Sequence, residues 1–224
     1  IMESNRPDYS RTGTMRYIKQ YIFTILALIQ LSHGKAILPL EGPIDAPSVE
    51  KALGESVWKK ILSGDIYTKS EVEDFKIFGQ KKQKLTFYIA GLHKKSCRFA
   101  LKKLSHYESY NEHIGYIKRS KYDEKTQRVD FLLSSSLLPY NMTLNFKIPR
   151  IKSIGSYPFI FDKGFLRNLK GTIRAINYKK RCLFYTTANW EGDHSGIPNS
   201  IFAFFSKAMS QLAMENLFRI STTY

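Results

Sequence analysis

The stretch Met142-Thr143-Leu144-Asn145-Phe146-Lys147-Ile148 decides the fold class. Met142, Leu144, Phe146 and Ile148 fall on one face of an extended chain, and Thr143, Asn145 and Lys147 on the other. That two-residue period belongs to a half-buried antiparallel strand. Segments of the same kind flank it at about 116–122, 128–136, 153–161, 168–176 and 181–190. Further upstream, 66–75 and 85–92 read as strands separated by a polar turn at 79–84. Between the strand at 85–92 and the one at 116–122, the segments 96–104 and 107–114 read as two short helices.

The alternation ends at Ile197-Pro198, and a helical period runs from about 199 to 221. Ile201, Phe205, Ala208, Met209 and Leu212 share one side of that helix; Ser206, Lys207, Ser210 and Gln211 share the other. A long helix that follows a meander of strands must bury its apolar stripe against the sheet. At the other end, Val49, Leu53, Val57, Trp58, Ile61 and Leu62 predict one amphipathic helix over 49–62, capped by Ser48 and ended by Gly64. Pro39, Pro43 and Pro47 make 37–47 an extended lead-in.

This order is that of an α+β chain: a curved antiparallel sheet of about seven strands wrapped on a long C-terminal helix, with two short helices after the first strand. Three motifs carry a resemblance. Leu104-Ser105-His106-Tyr107-Glu108-Ser109-Tyr110 is similar to an L-x-D-Y-E-x-Y segment, Leu169-Lys170-Gly171-Thr172-Ile173 to an L-x-G-x-W strand, and Gly196-Ile197-Pro198-Asn199 to an I-P helix start. Together they make 65–224 resemble the START-like (SRPBCC, polyketide-cyclase-type) helix-grip domain. His106 replaces the usual Asp and Ile173 the usual Trp.

The resemblance implies an apolar cavity between sheet and terminal helix. Candidate lining residues are Tyr107, Tyr110, Phe131, Leu133, Leu144, Phe146, Phe159, Arg174, Phe202, Phe205 and Met209. Arg174 and the two tyrosine hydroxyls are its candidate polar contacts, and the tyrosines suit ordinary core packing equally well. The implied antiparallel pairing of first and last strands also brings Cys97 near Cys182, as a disulfide or as two buried thiols. The family includes lipid carriers, cyclases and ribosome-associated proteins, so the fold does not choose a function.

No His-Glu-x-x-His, Gly-x-Ser-x-Gly, phosphate loop or Cys-x-x-Cys is present, and no cofactor or metal is implied. His106 and His113 lack a third ligand, and Glu191, Asp193 and His194 lie in a Gly-rich stretch that reads as a solvated turn. A cyclase or dehydrase would need Arg174 or His106 to converge inside the cavity.

The 224 residues carry a net charge of +16, which favours anionic partners, with many of the cations in turn-like clusters such as 80–84 and 178–181. From Met15, the expected start, the chain has signal-peptide anatomy: Arg16 and Lys19, an apolar run over 22–31, then Ser32-His33-Gly34. The run of ten is far short of the roughly 20 residues a membrane helix needs. Cleavage after Gly34 removes four basic and two acidic residues and leaves +14. The expected organisation is an extension and signal peptide over 1–34, a lead-in and helix over 35–64, and the START-like domain over 65–224. The sequence thus points to a periplasmic or secreted carrier of a hydrophobic small molecule or lipid, able to touch an anionic membrane or envelope surface. Nucleic acid or the ribosome becomes the partner only if residues 15–34 do not direct export.

Overall fold

The computed structural model describes residues 45–134, 141–164 and 166–222. The signal-peptide segment, nearly all of the proline-rich lead-in and the end of the strand expected at 128–136 lie outside the described residues. Two helices, α1 (Ala46–Leu53) and α2 (Glu55–Ser63), precede a hairpin of β1 (Tyr67–Ile77) and β2 (Gln80–His93). Then come α3 (Cys97–Leu104), a 3-10 turn (Tyr107–Ser109) and α4 (Tyr110–His113). Six strands follow: β3 (Ile117–Asp123), β4 (Arg128–Leu133), β5 (Met142–Lys147), β6 (Gly155–Phe161), β7 (Lys170–Tyr178) and β8 (Arg181–Asp193). The last element is α5 (Asn199–Thr222).

All strands join one antiparallel sheet of eight, in the order β1-β2-β8-β7-β6-β5-β4-β3. The eighth strand is β1, which pairs with β2 along its full length. The polar residues expected to form a turn at 80–84 instead continue β2; the hairpin turns at Phe78 (φ 48°) and Gly79 (φ 79°) alone. Charged pairs across the ladder, Lys82–Asp193 at 2.5 Å and Lys84–Glu191 at 3.4 Å, explain why a strand can be so polar there.

The helix expected over 49–62 is two. Gly54 adopts φ 81° and ψ 156°, which breaks the hydrogen-bond ladder between α1 and α2. The cap of α1 is Asp45, not Ser48: the Asp45 carboxylate accepts from the Ser48 amide at 2.9 Å and from its hydroxyl. Pro47 tolerates the first helical turn, so the helix begins ahead of it. Gly64 ends α2 with φ 107°. Both helices lie near the convex side of the sheet, where Trp58 meets the Tyr178 ring edge-on at 5.4 Å. There, the Arg181 guanidinium donates to the Leu62 carbonyl at 3.2 Å.

α5 packs over β1, β2 and α3 on the concave side. Phe202 anchors its first turns against Trp190, at 5.9 Å between rings. Its far end is fixed by a buried polar chain. His93 Nδ1 accepts from the Lys95 amide at 3.1 Å, so Nε2 carries the proton and donates to Ser221 Oγ at 2.9 Å. Ser221 Oγ in turn donates to the Leu217 carbonyl at 2.8 Å. Neutral imidazole suits this arrangement, and burial lowers the His93 pKa, outweighing the Lys95 and Phe218 carbonyls that favour the charged form. Beside it, Cys182 of β8 bonds to Cys97, the first residue of α3, with Cα atoms 4.5 Å apart.

Candidate functional site: an apolar cavity between sheet and terminal helix

Strand parity sorts the side chains. On β2, β8, β7, β6, β5 and β4 the residues Phe87, Ile89, Phe184, Thr186, Ile173, Phe159, Phe161, Phe146, Leu144, Phe131 and Leu133 all face the concave side. Gly171 shares that face without a side chain: a Cβ there would lie 2.3 Å from the Thr187 carbonyl oxygen and 2.6 Å from Ala188 Cβ. The β7–β8 pair can close only around a glycine at this point. α5 packs over β1 and β2, and the curvature leaves space between it and the concave face of β2–β8.

That space is a cavity of about 360 Å³. Met209, Ser210, Ala213, Met214 and Leu217 of α5 form its roof, and Leu101, Leu104, Tyr107, Tyr110 and Ile114 close one end. An aromatic ladder runs along the strands: Tyr110 stacks on Phe131 at 5.7 Å, Phe131 meets Phe146 at 5.7 Å, and Phe146 stacks on Phe161 at 4.9 Å. Among the described lining residues there is no Asp, Glu, His, Lys or Arg; the polar members are Thr186, Ser210 and three tyrosines.

The tyrosines of the Leu104–Tyr110 motif present rings, not hydroxyls, to the cavity. Tyr107 donates to the Pro149 carbonyl at 3.1 Å and accepts from the Ile151 amide at 3.2 Å. Tyr110 donates to the Leu104 carbonyl at 2.7 Å. Burial pushes both phenols above their ordinary range, so they stay neutral.

Of the residues proposed from sequence, Tyr107, Tyr110, Phe131, Leu133, Leu144, Phe146, Phe159 and Met209 line the cavity. Three sit elsewhere. Arg174 has the opposite parity to Ile173 and Ala175; it projects from the convex face, across from Tyr185, into a polar cleft with Thr172 and Thr187. Phe202 is core against Trp190, and Phe205 is half-buried against that core. His106 lies in a separate cleft beside α3. Asp193 and Glu191 are exposed partners of lysines, and His194 lies 3.5 Å from Asp74, so they form no catalytic cluster.

Sequence reasoning missed Phe87, Ile89, Phe161, Ile173 and Phe184, all of which parity alone could have added. It also misread α5. Ser210, placed on the wet side, lines the cavity, whereas Ile201 is 58% exposed. Apolar residues occur all round this helix, with Phe202, Phe204 and Phe205 nearly adjacent, so no single stripe dominates its sequence.

No family model matches this sequence, and no curated protein matches it. Solved structures do. A START superfamily protein from Mycobacterium smegmatis superposes with a TM-score of 0.50 at 7% identity, over 62% of this chain and 99% of that one. The protein TTHA0849 from Thermus thermophilus gives 0.50 at 8% identity, over 60% and 95%. A STAR-related lipid transfer protein fragment from Xanthomonas axonopodis gives 0.46 at 11%, over 69% and 94%. The two superpositions at 0.50, with the element order and the eight-stranded sheet, give the chain the START-like helix-grip fold.

Proposed function

We propose that this protein is exported and carries an apolar, lipid-like or polycyclic molecule in the cavity beneath α5. The observation that supports it most is the cavity itself. A concavity of about 360 Å³ lined almost wholly by apolar side chains has the size and character of a small-molecule site, roughly 300–1,000 Å³. Such a space is retained where something fills it. The lining supports an apolar occupant, because it offers almost no polar partner. It gives less support to a cyclase: neither Arg174 nor His106 is among the lining residues, and both tyrosine hydroxyls are committed to backbone.

Two features support export: the short apolar run at 22–31 behind basic residues, and the Cys97–Cys182 bond, which suits an oxidising compartment. The net charge of +14 that remains after cleavage at Gly34 would bring the carrier to an anionic membrane or envelope surface. Titration with a panel of fluorescent fatty acids and polycyclic dyes tests the carrier reading: saturable uptake at one per chain is expected, and no uptake across the panel refutes it. N-terminal sequencing from the native host tests export. A chain beginning near Lys35 is expected, and an intact Met15 on cytosolic protein would revive the ribosome reading.

A further inference from the structure

A second concavity, of about 490 Å³, lies on the far side of Leu101, which forms part of both its wall and the cavity's. It is lined by Arg98, Lys102, Ser105, His106 and Glu108 on one side and by Glu124, Arg150 and Lys152 on the other. We propose that this cleft binds a tetrahedral, phosphate-bearing anion.

The floor is built and held. Arg150 has only 12% of its side chain exposed, and it binds three parts of the chain at once. Its Nε donates to Glu124 at 2.6 Å, and its NH1 donates to Glu108 at 3.1 Å and to the Ser105 carbonyl. Its guanidinium lies over the Tyr122 ring at 4.4 Å. The Tyr107 hydroxyl fixes the adjoining backbone through Pro149 and Ile151. Arg150 therefore pairs with both carboxylates of the cleft, its one positive charge leaving a single negative charge over, and His106 Nδ1 stands 3.5 Å from Glu108.

Three further cations line the cleft and outnumber that remaining charge by two. Arg98 and Lys102 are exposed at i and i+4 of α3, so they share its outer face, and Lys152 is exposed on the facing segment. Among the described residues, none of the three has an ion pair, whereas Lys82, Lys84, Lys59, Arg119 and Arg128 each do. Like charges gathered round one concavity repel until an anion enters. Donors converging from two walls match the several acceptor oxygens of a phosphate, with the Arg98 fork able to take two of them. The cleft is larger than a bare phosphate requires, so the group can belong to a larger molecule or to a lipid headgroup.

The test titrates inorganic phosphate into the intact protein at fixed ionic strength and follows backbone amide shifts. A parallel arm measures co-sedimentation with phosphatidate/phosphatidylcholine vesicles against phosphatidylcholine alone. Saturable shifts confined to residues 98–106 and 150–152 are expected. Arg98→Gln/Lys102→Gln should weaken binding on the order of tenfold by removing two charge-assisted donors. Lys179→Gln/Lys180→Gln, which removes equal charge from the β7–β8 turn, should leave it unchanged. Phosphatidate binding that depends on Arg98 and Lys102, without a response to inorganic phosphate, would identify a headgroup as the source. Absence of binding in both arms, or equal weakening by the two double variants, would overturn the site. Uptake of apolar dye should be the same in the Arg98→Gln/Lys102→Gln protein, so failure here leaves the carrier reading standing.

Discussion

Ala213 lies at the middle of the cavity roof, on the same face of α5 as Met209, Ser210 and Leu217. Ala213→Leu sends three further carbons toward a space of about 360 Å³. At about 0.8 kcal/mol per buried methylene the gain is about 2 kcal/mol. This is an upper value, because atoms facing a void make fewer contacts than atoms in a filled core. For a chain of this size, each kcal/mol moves the midpoint by about 2–4 °C, so Tm should rise by up to about 8 °C. The assay is thermal unfolding of delipidated wild type and variant by circular dichroism, with and without a bound fluorescent fatty acid. Saturating ligand should stabilise the wild type strongly, by about 2.7 kcal/mol at a hundredfold excess over Kd, and the variant much less. Had the space been filled, the same substitution would overpack it and lose about 1–3 kcal/mol. A less stable variant that still takes up the probe like wild type would refute the reasoning.

Three more outcomes follow from the same structure. Gly171→Ala should lose about 1–3 kcal/mol or more in urea denaturation, since the Thr187 carbonyl 2.3 Å from the new Cβ is backbone and cannot turn away. A variant of wild-type stability would mean that β7 and β8 are not so closely paired. His93 is held neutral with a lowered pKa, so the unfolded chain binds the extra proton; stability should fall as pH drops below about 6.5, the ordinary imidazole value. Glu108 and Asp162, whose pKa values are lowered, contribute only near and below 4.5 and 3.8, so His93→Gln should flatten the profile between pH 7 and 5. An unchanged slope in that variant would assign the dependence elsewhere. Reduction of Cys97–Cys182 opens a loop of 85 residues and should lower unfolding free energy by about 4–5 kcal/mol on the chain-entropy scale. Identical denaturation curves with and without reductant would contradict it.

Where one face of a strand is apolar and the other wet, the sequence was enough. Met142–Lys147 shows this, and the three motifs around Tyr107, Gly171 and Pro198 placed the short helices, β7 and α5 in the correct order. The extension of β2 through Gln80–Lys84 was hidden because cross-strand ion pairs, rather than apolar packing, stabilise it. The break at Gly54 was hidden because the apolar stripe continues across it. Arg174 was drawn into the candidate site by its charge, although its parity with the convex residues was already readable. The cavity is a different matter. Alternation says which side chains point inward, but whether they meet depends on sheet curvature and on where α5 lies. Neither is local to any residue.

Mass spectrometry of protein recovered from its native host, under conditions that preserve non-covalent complexes, tests the account most directly. One apolar molecule of defined mass per chain, released on denaturation and diminished in Ala213→Leu, is the result expected. Empty protein from the host, whose melting temperature no lipid or polycyclic compound raises, would contradict it.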